Sequence, residues 1–229
     1  HGIFTASMVE YAELHVISNF TFLRGASHPE ELVSRAHELG YRAVALTDEC
    51  SLSGIVRAHG EAKRCGIQLL IGTEIIMEES LHLILLATDR QSYGEISHLV
   101  SRGRRNADKG YYRLCLDDLN NMPTQSCIAI WKADRNASFE QSDQLQSLFP
   151  GLLWIGVSLK RDGFDYERLE STGRLSRKSG LPRVACGDVH MHHPARRPVR
   201  DTLDAIRLKL PLDEMGYQIS SNGDQHLRP

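Results

Sequence analysis

Short apolar runs alternate along this chain with segments of helical periodicity, and four of the runs end on a histidine or a carboxylate. Leu14-His15-Val16 is the first; Arg42 to Asp48, Ile67 to Glu74 and Pro182 to His190 are the others. Repetition of strand, polar terminus and helix points to an α/β architecture on a parallel sheet. In barrels of that kind the C-terminal strand ends gather at one face and build the site there. His15, Asp48, Glu49, Glu74, Asp188 and His190 are therefore expected at a shared mouth. One polar residue at a strand end usually caps or turns the chain, but four separate strands ending this way point to chemistry.

Turn and cap signals fill in the rest. Ser27 is placed to cap a helix, Pro29 suits its first turn, and Glu30 stands three residues on, as a capping box requires. Leu32, Val33, Ala36 and Leu39 make its apolar stripe, and Gly40 stops it. Ser51 to Cys65 has a helical pattern closed by Gly66. Leu81 to Ala87 is expected to pair with Glu74-Ile75-Ile76 as a hairpin. Cys127 to Trp131 and Leu152 to Leu159 read as strands. Gln91 to Arg102, Phe164 to Lys178 and Pro198 to Leu210 read as helices.

The 229 residues suffice for one βα barrel or two small domains. A net charge of −2 gives no support to autonomous DNA binding, which normally needs a basic domain. The five cysteines are scattered without a CxxC pair, as expected of small, reduced, buried residues in a cytoplasmic protein. No run is long and apolar enough to span a bilayer, so no membrane partner is expected. His1 to Ser7 resembles a vector remnant, with Met8 a natural start, and His1 is not counted as a ligand.

Imidazole nitrogens and carboxylate oxygens together suit Zn, Mn or Fe. Such metals activate water and clamp a phosphoryl group, so phosphoester hydrolysis is the matching reaction. His15, Glu74, Asp188 and His190 would supply four ligands, with Asp48 or Glu49 as a fifth. Two positions oppose this. Ile17 follows His15 by two residues and so shares its strand face, placing apolar bulk where a second imidazole would help. Arg24 puts a permanent cation near the mouth, and it is expected to pair with Glu49 or Asp188 in place of metal charge. The competing account is that these residues hydrogen-bond one another around trapped water.

Leu14 to Gly25, then Ala45-Leu46-Thr47-Asp48, then Gly66-Ile67 with Ile71-Gly72-Thr73-Glu74, then Gly187-Asp188-Val189-His190 match the four-part order of a PHP (polymerase and histidinol phosphatase) domain. The resemblance runs from Tyr11 to Pro229 and implies a distorted PHP-type (β/α)7 barrel. Tyr11 to His15, Phe22 to Leu32 and Ala45 to Asp48 resemble the start of the error-prone, C-family bacterial DNA polymerases, and His82 to Ala87 is similar to an apolar segment shared across C-family polymerases. Residues 8–210 are then expected to form the barrel, and 211–229 to lead towards a polymerase body.

Carried over residue by residue, the family's His-x-His is His15 followed by Ile17, and the acid before the turn glycine is Arg24. Its Thr-Asp-His is Thr47-Asp48-Glu49, while Glu74, Asp188 and His190 match. No His or Cys stands at the central position near Cys127 to Asp134. Intact PHP domains hold three metals and hydrolyse phosphoesters, some as proofreading exonucleases, so the resemblance implies either Zn or Mn at partial occupancy or no metal. It also implies polymerase palm and thumb as partners, with DNA, accessory mutagenesis proteins and a sliding clamp acting through the whole enzyme. The leading expectation is a structural scaffold; residual phosphoesterase or 3′-5′ exonuclease activity and a free-standing phosphatase are the alternatives.

Other motifs carry less. His190-Met191-His192-His193 is expected to be an exposed loop, because Pro194 stops any strand that would align His190 with His192. Arg102-Gly103-Arg104-Arg105 and Arg196-Arg197 with Arg200 are basic clusters expected to be solvated faces, with contact to template phosphates or to the rest of a polymerase as the alternative. No glycine-rich phosphate loop or serine nucleophile motif is present.

Overall fold

The computed structural model describes residues 10–120, 122 and 126–229. The vector-remnant reading of His1 to Ser7, and Met8 with it, lies outside the described residues. Seven strands follow one another around a single sheet in sequence order. They are β1 (Ala12–Val16), β2 (Ala43–Leu46), β3 (Gln68–Ile76), β4 (His82–Ala87), β5 (Cys127–Trp131), β6 (Leu153–Val157) and β7 (Arg183–Ala185). The helices are α1 (Pro29–Glu38), α2 (Ile55–Cys65), α3 (Arg90–Arg105), α4 (Leu116–Asn120), α5 (Phe139–Leu148), α6 (Asp165–Ser179) and α7 (Arg197–Leu208).

Pairing is parallel except around β4, which runs antiparallel to both β3 and β5. The expected hairpin forms with Glu74 opposite Ile84 and Ile76 opposite His82. A short loop between β3 and β4 leaves no room for a crossover helix, so this strand departs from the parallel pattern. The sheet nearly closes on itself. Past β1, the Ile17 N–H donates to the Val189 carbonyl at 2.9 Å, and the Val189 N–H returns to the His15 carbonyl at 2.9 Å. The buried Glu13 carboxylate fastens the same seam by accepting from the Gly187 N–H at 2.7 Å and the Tyr11 hydroxyl at 2.8 Å.

Period-two alternation separates the two faces of the sheet. On β4, Leu83 and Leu85 pack outward with Ile96 and Leu99 of α3, while Ile84 and Leu86 pack inward with Ala45, Ile130 and Cys186. On β5, Cys127, Ala129 and Trp131 point outward and Ile128 and Ile130 inward. The second outer cluster joins Val44 and Leu46 to Leu32, Val33, Ala36, Ala58 and Ala62 of α1 and α2. Trp131 and Phe149 are almost wholly buried, and each fully buried large apolar side chain contributes about 1.5–3 kcal/mol.

Two local expectations need correction. The α1 cap is His28, whose N–H donates to the Glu31 carboxylate at 2.7 Å. Ser27 is one residue too early because its hydroxyl is engaged with the N–H of His192, at 2.9 Å. The late strand expected over Pro182 to His190 ends at Ala185. Asp188 takes a left-handed backbone with φ of 51°, which breaks a strand and turns the chain across the barrel mouth. A side chain at Gly187 would meet Glu13 Oε2 at 2.2 Å, so the seam requires glycine there.

Candidate functional site

The inner face of each strand carries one residue to the mouth. On β3 the outward Leu69, Ile71 and Ile75 leave Leu70, Gly72 and Glu74 facing in. Glu74 is fully buried and accepts at 2.6 Å from His15 Nε2, with His82 Nε2 at 2.8 Å from its other oxygen. Burial alone would raise the Glu74 pKa; His15, His82 and Lys132 overcome it and hold the carboxyl well below its ordinary value. Burial lowers the His15 pKa, Lys132 adds to that, and Glu74 and Asp188 only partly oppose it. His15 Nδ1 lies 3.2 Å from Asp188 Oδ1 without an aligned hydrogen bond.

Asp188 is the hub of the other side. Lys132 Nζ donates to Oδ1 at 2.9 Å, Lys160 Nζ lies 2.6 Å from Oδ2, and Gln225 Nε2 donates to Oδ2 at 2.9 Å. Burial pushes the Asp188 pKa up, but Lys132, His190, His15 and Lys160 together hold it well below the carboxylate range. His190 Nε2 stands 3.5 Å from Oδ1, and burial brings its pKa down to about 4 against the pull of Asp188. The imidazole is therefore neutral at pH 7 and buried, not an exposed loop histidine as its sequence neighbours implied. His192 and His193 do lie in the loop beyond it, with His192 turned towards Ser27.

Arg24 pairs with Glu49, as expected, and reaches Glu74 Oε1 at 3.2 Å; Asp188, the other expected partner, is taken by the two lysines. Burial works against the Arg24 charge, but Glu74 and Glu49 more than offset it and raise its pKa. The Tyr112 hydroxyl donates to the second oxygen of Glu49 at 2.9 Å. Ile17 is fully buried just beyond β1. Asp48, read as a ligand or charge partner, meets neither metal-like company nor a cation among the described residues. It accepts from Ser18 N–H at 2.7 Å, Ser18 Oγ at 2.8 Å and Thr21 Oγ1 at 2.7 Å, and burial raises its pKa against those bonds. This knot holds the turn before Gly25, where a Cβ would meet Ser18 O at 1.9 Å.

His15, Glu49, Glu74, Asp188 and His190 are thus brought to one mouth. Sequence reasoning missed Lys132, Lys160, His82, Gln225 and Arg200. The alternation that faces Ile128 and Ile130 inward also faces Lys132 inward, one step past β5, and the same step from Ile84 reaches His82. Arg200, read as a solvated face, is buried on α7 instead. Gln225 lies in the segment read as a lead towards another body; here the His190 N–H donates to its carbonyl at 2.9 Å and Met191 bridges His226. No group of three or more His, Cys, Asp and Glu side chains among the described residues is arranged to hold a metal ion.

The PHP domain family matches residues 13–142. The chain belongs to the PHP domain family. An error-prone DNA polymerase of Methylococcus capsulatus is 52% identical over 219 residues, covering 96% of this chain and 21% of that protein. One from Dechloromonas aromatica is 49% identical, covering 97% of this chain and 22% of its own length. The chain thus spans about a fifth of the curated relatives it matches. Among solved structures, a protein of Bifidobacterium adolescentis described as a metal-dependent phosphoesterase aligns with a TM-score of 0.54 at 15% identity, over 80% of this chain and 88% of its own. An amidohydrolase from Chromobacterium violaceum, with bound sulfate and no metal, aligns at 0.55 and 15% identity, over 79% and 87%. Both share the fold of this PHP domain. No helix among its described residues is long and apolar enough to cross a membrane.

Proposed function

We propose that this PHP domain is a charge-neutralised scaffold within an error-prone DNA polymerase whose polymerising chemistry lies elsewhere in a longer chain. The names of the relatives, and the small share of their length that this chain spans, support the parentage. One observation carries the scaffold role: Lys132 and Lys160 take both oxygens of Asp188, while Arg24 is divided between Glu49 and Glu74. The donor set does not fit a metal cluster. A Zn or Mn ion among these carboxylates would stand against three side chains of its own charge sign, two of which already contact Asp188. The cations supply the compensation that buried carboxylates need; the two lysines tie the segments after β5 and β6 to the one after β7, and Arg24 ties the segment after β2 to β3.

On this proposal the whole enzyme acts on DNA in the cytoplasm, in repair and translesion synthesis. It would be a nucleotidyltransferase with palm and thumb beside this barrel, aided by accessory mutagenesis proteins and a sliding clamp. The second reading, residual metal-dependent phosphoesterase or 3′-5′ exonuclease activity, draws on the convergence of His15, Glu74, Asp188 and His190. The deciding experiment assays full-length polymerase for Mn-dependent 3′-5′ exonuclease activity, wild type beside His15→Ala. Background activity in both is expected. Activity in the wild type that disappears in the variant overturns the scaffold proposal.

A further inference from the structure

We infer that the outer face of α7 is the surface on which the remainder of a longer polymerase chain packs, through Val199, Leu203 and Ile206. The inference rests on the proposal that this PHP domain is one part of such a chain. A helix lying on a barrel normally turns its apolar stripe inward and its charges outward. α1 does so, burying Leu32, Val33 and Ala36. α7 is reversed. Its buried residues are Arg200, Asp204 and Ala205, and Arg200 lines the cavity at the barrel mouth. Arg197 and Asp201, 3.4 Å apart, flank that pair at helical spacing. No residue of α7 belongs to any of the three apolar clusters of the barrel.

Val199, Leu203 and Ile206 recur at i, i+4 and i+7, so they form one stripe, on the side turned away from the barrel. Val199 is 40% exposed and Ile206 56%, with Leu203 half-buried between them. Leu212, in the turn Leu212–Glu214 that packs beside α7, adds a 48% exposed side chain. A lone exposed apolar residue needs no account, but a stripe continued by its neighbour marks an interface. Size and connectivity choose the occupant. The 12 residues of α7 make a helix about 18 Å long, and a stripe about 10 Å wide on it covers roughly 200 Å². Free association of two copies takes about 800 Å² on each side. A covalently joined partner needs far less, because the tether holds it at an effective concentration of about a millimolar. The chain spans about a fifth of its curated relatives, so on the reading above most of the polymerase is such a tethered partner. The surface it brings is apolar, with side chains that fill the gaps between Val199, Leu203 and Ile206.

The test compares amide hydrogen exchange over Arg197–Leu208 in the full-length polymerase and in this chain alone. Exchange slowed about tenfold or more in the full-length protein is expected, because covering these side chains suppresses local opening of the helix. In the full-length Val199→Ser/Ile206→Ser double variant, exchange should return to the rate of the chain alone. Serine matches valine and isoleucine in helix propensity, and neither side chain belongs to a barrel core. The same pair in the chain alone should therefore shift thermal unfolding by less than about 3 °C. A larger shift would mean that the two side chains hold the barrel itself, and it would overturn the inference. Equal exchange of wild-type α7 in the two proteins, or protection that survives the double substitution, would do the same. Protection in the chain alone that grows with its concentration would assign the face to a second copy and overturn the inference too. An unprotected α7 leaves the scaffold proposal standing. Mn-dependent exonuclease activity that is lost in His15→Ala overturns the scaffold proposal and leaves this inference standing.

Discussion

Asp48 and Asp188 are the same side chain beyond two strand ends, exposed by only 1% and 2%, and their surroundings treat them oppositely. Asp48 is met by neutral donors from one turn, Ser18 and Thr21, and burial drives its pKa up. Asp188 is met by two ammonium groups and an amide from three distant segments, and its pKa is held well down. The first carboxylate is a local fastener of one turn. The second is the counter-charge on which two inward lysines depend. A buried acid in a metal-type motif is therefore no sign of a metal by itself; the company it keeps decides its role.

The sharpest way to break the contrast is to neutralise each acid in turn. Asp188→Asn strands Lys132 and Lys160 and should cost about 3–5 kcal/mol in urea unfolding. Asp48→Asn keeps hydrogen-bonding capacity at the turn and should cost only about 1–2 kcal/mol. Equal losses would erase the distinction. Acid sensitivity comes next. The folded His190 pKa of about 4 lies below its ordinary 6.5, so as pH falls the unfolded chain takes the proton first. Stability present above pH 6.5 is then lost towards pH 4, at up to about 1.4 kcal/mol per pH unit from this group. His15, also lowered, adds in the same direction, and the depressed Glu74 and Asp188 extend the loss to lower pH. Unfolding measured from pH 7.5 to 4.5 should show a slope that His190→Gln flattens; an unchanged slope assigns the sensitivity elsewhere.

Arg24→Met leaves Glu49 and Glu74 short of a partner and should cost about 1–3 kcal/mol by thermal unfolding, less than Asp188→Asn because His15 and His82 still serve Glu74. The smallest effect belongs to Lys160→Met, below about 1 kcal/mol, since that ammonium is one-third exposed and Lys132 remains on Asp188. A larger loss there than from Arg24→Met would mean that the two lysines are not interchangeable.

Much of this was legible in the residues. The alternation of strands and helices, the β3–β4 hairpin and the gathering of His15, Glu74, Asp188 and His190 follow from apolar alternation and polar strand ends, the closed seven-stranded order from the family resemblance, and Glu49 was one of two partners expected for Arg24. What escaped did so for physical reasons. Lysine at a strand end reads as solvent-facing, so Lys132 and Lys160 were invisible until the sheet curled them inward over Asp188. Arg200 sits in an arginine-rich stretch whose burial depends on how α7 meets the barrel. Gln225 reached the site only because the chain after α7 returns to pair with His190 and Met191. The one-residue error at the α1 cap arose because Ser27 was claimed by His192, a contact between residues 165 apart.

The most direct measurement is the metal content of this chain, prepared without nickel resin, exposed to Zn, Mn and Fe and then dialysed, for the wild type beside His15→Ala. Plasma mass spectrometry should find far less than one ion per chain in both, because Lys132, Lys160 and Arg24 already hold the carboxylates. Stoichiometric metal in the wild type that is lost with His15 would contradict charge replacement at the mouth.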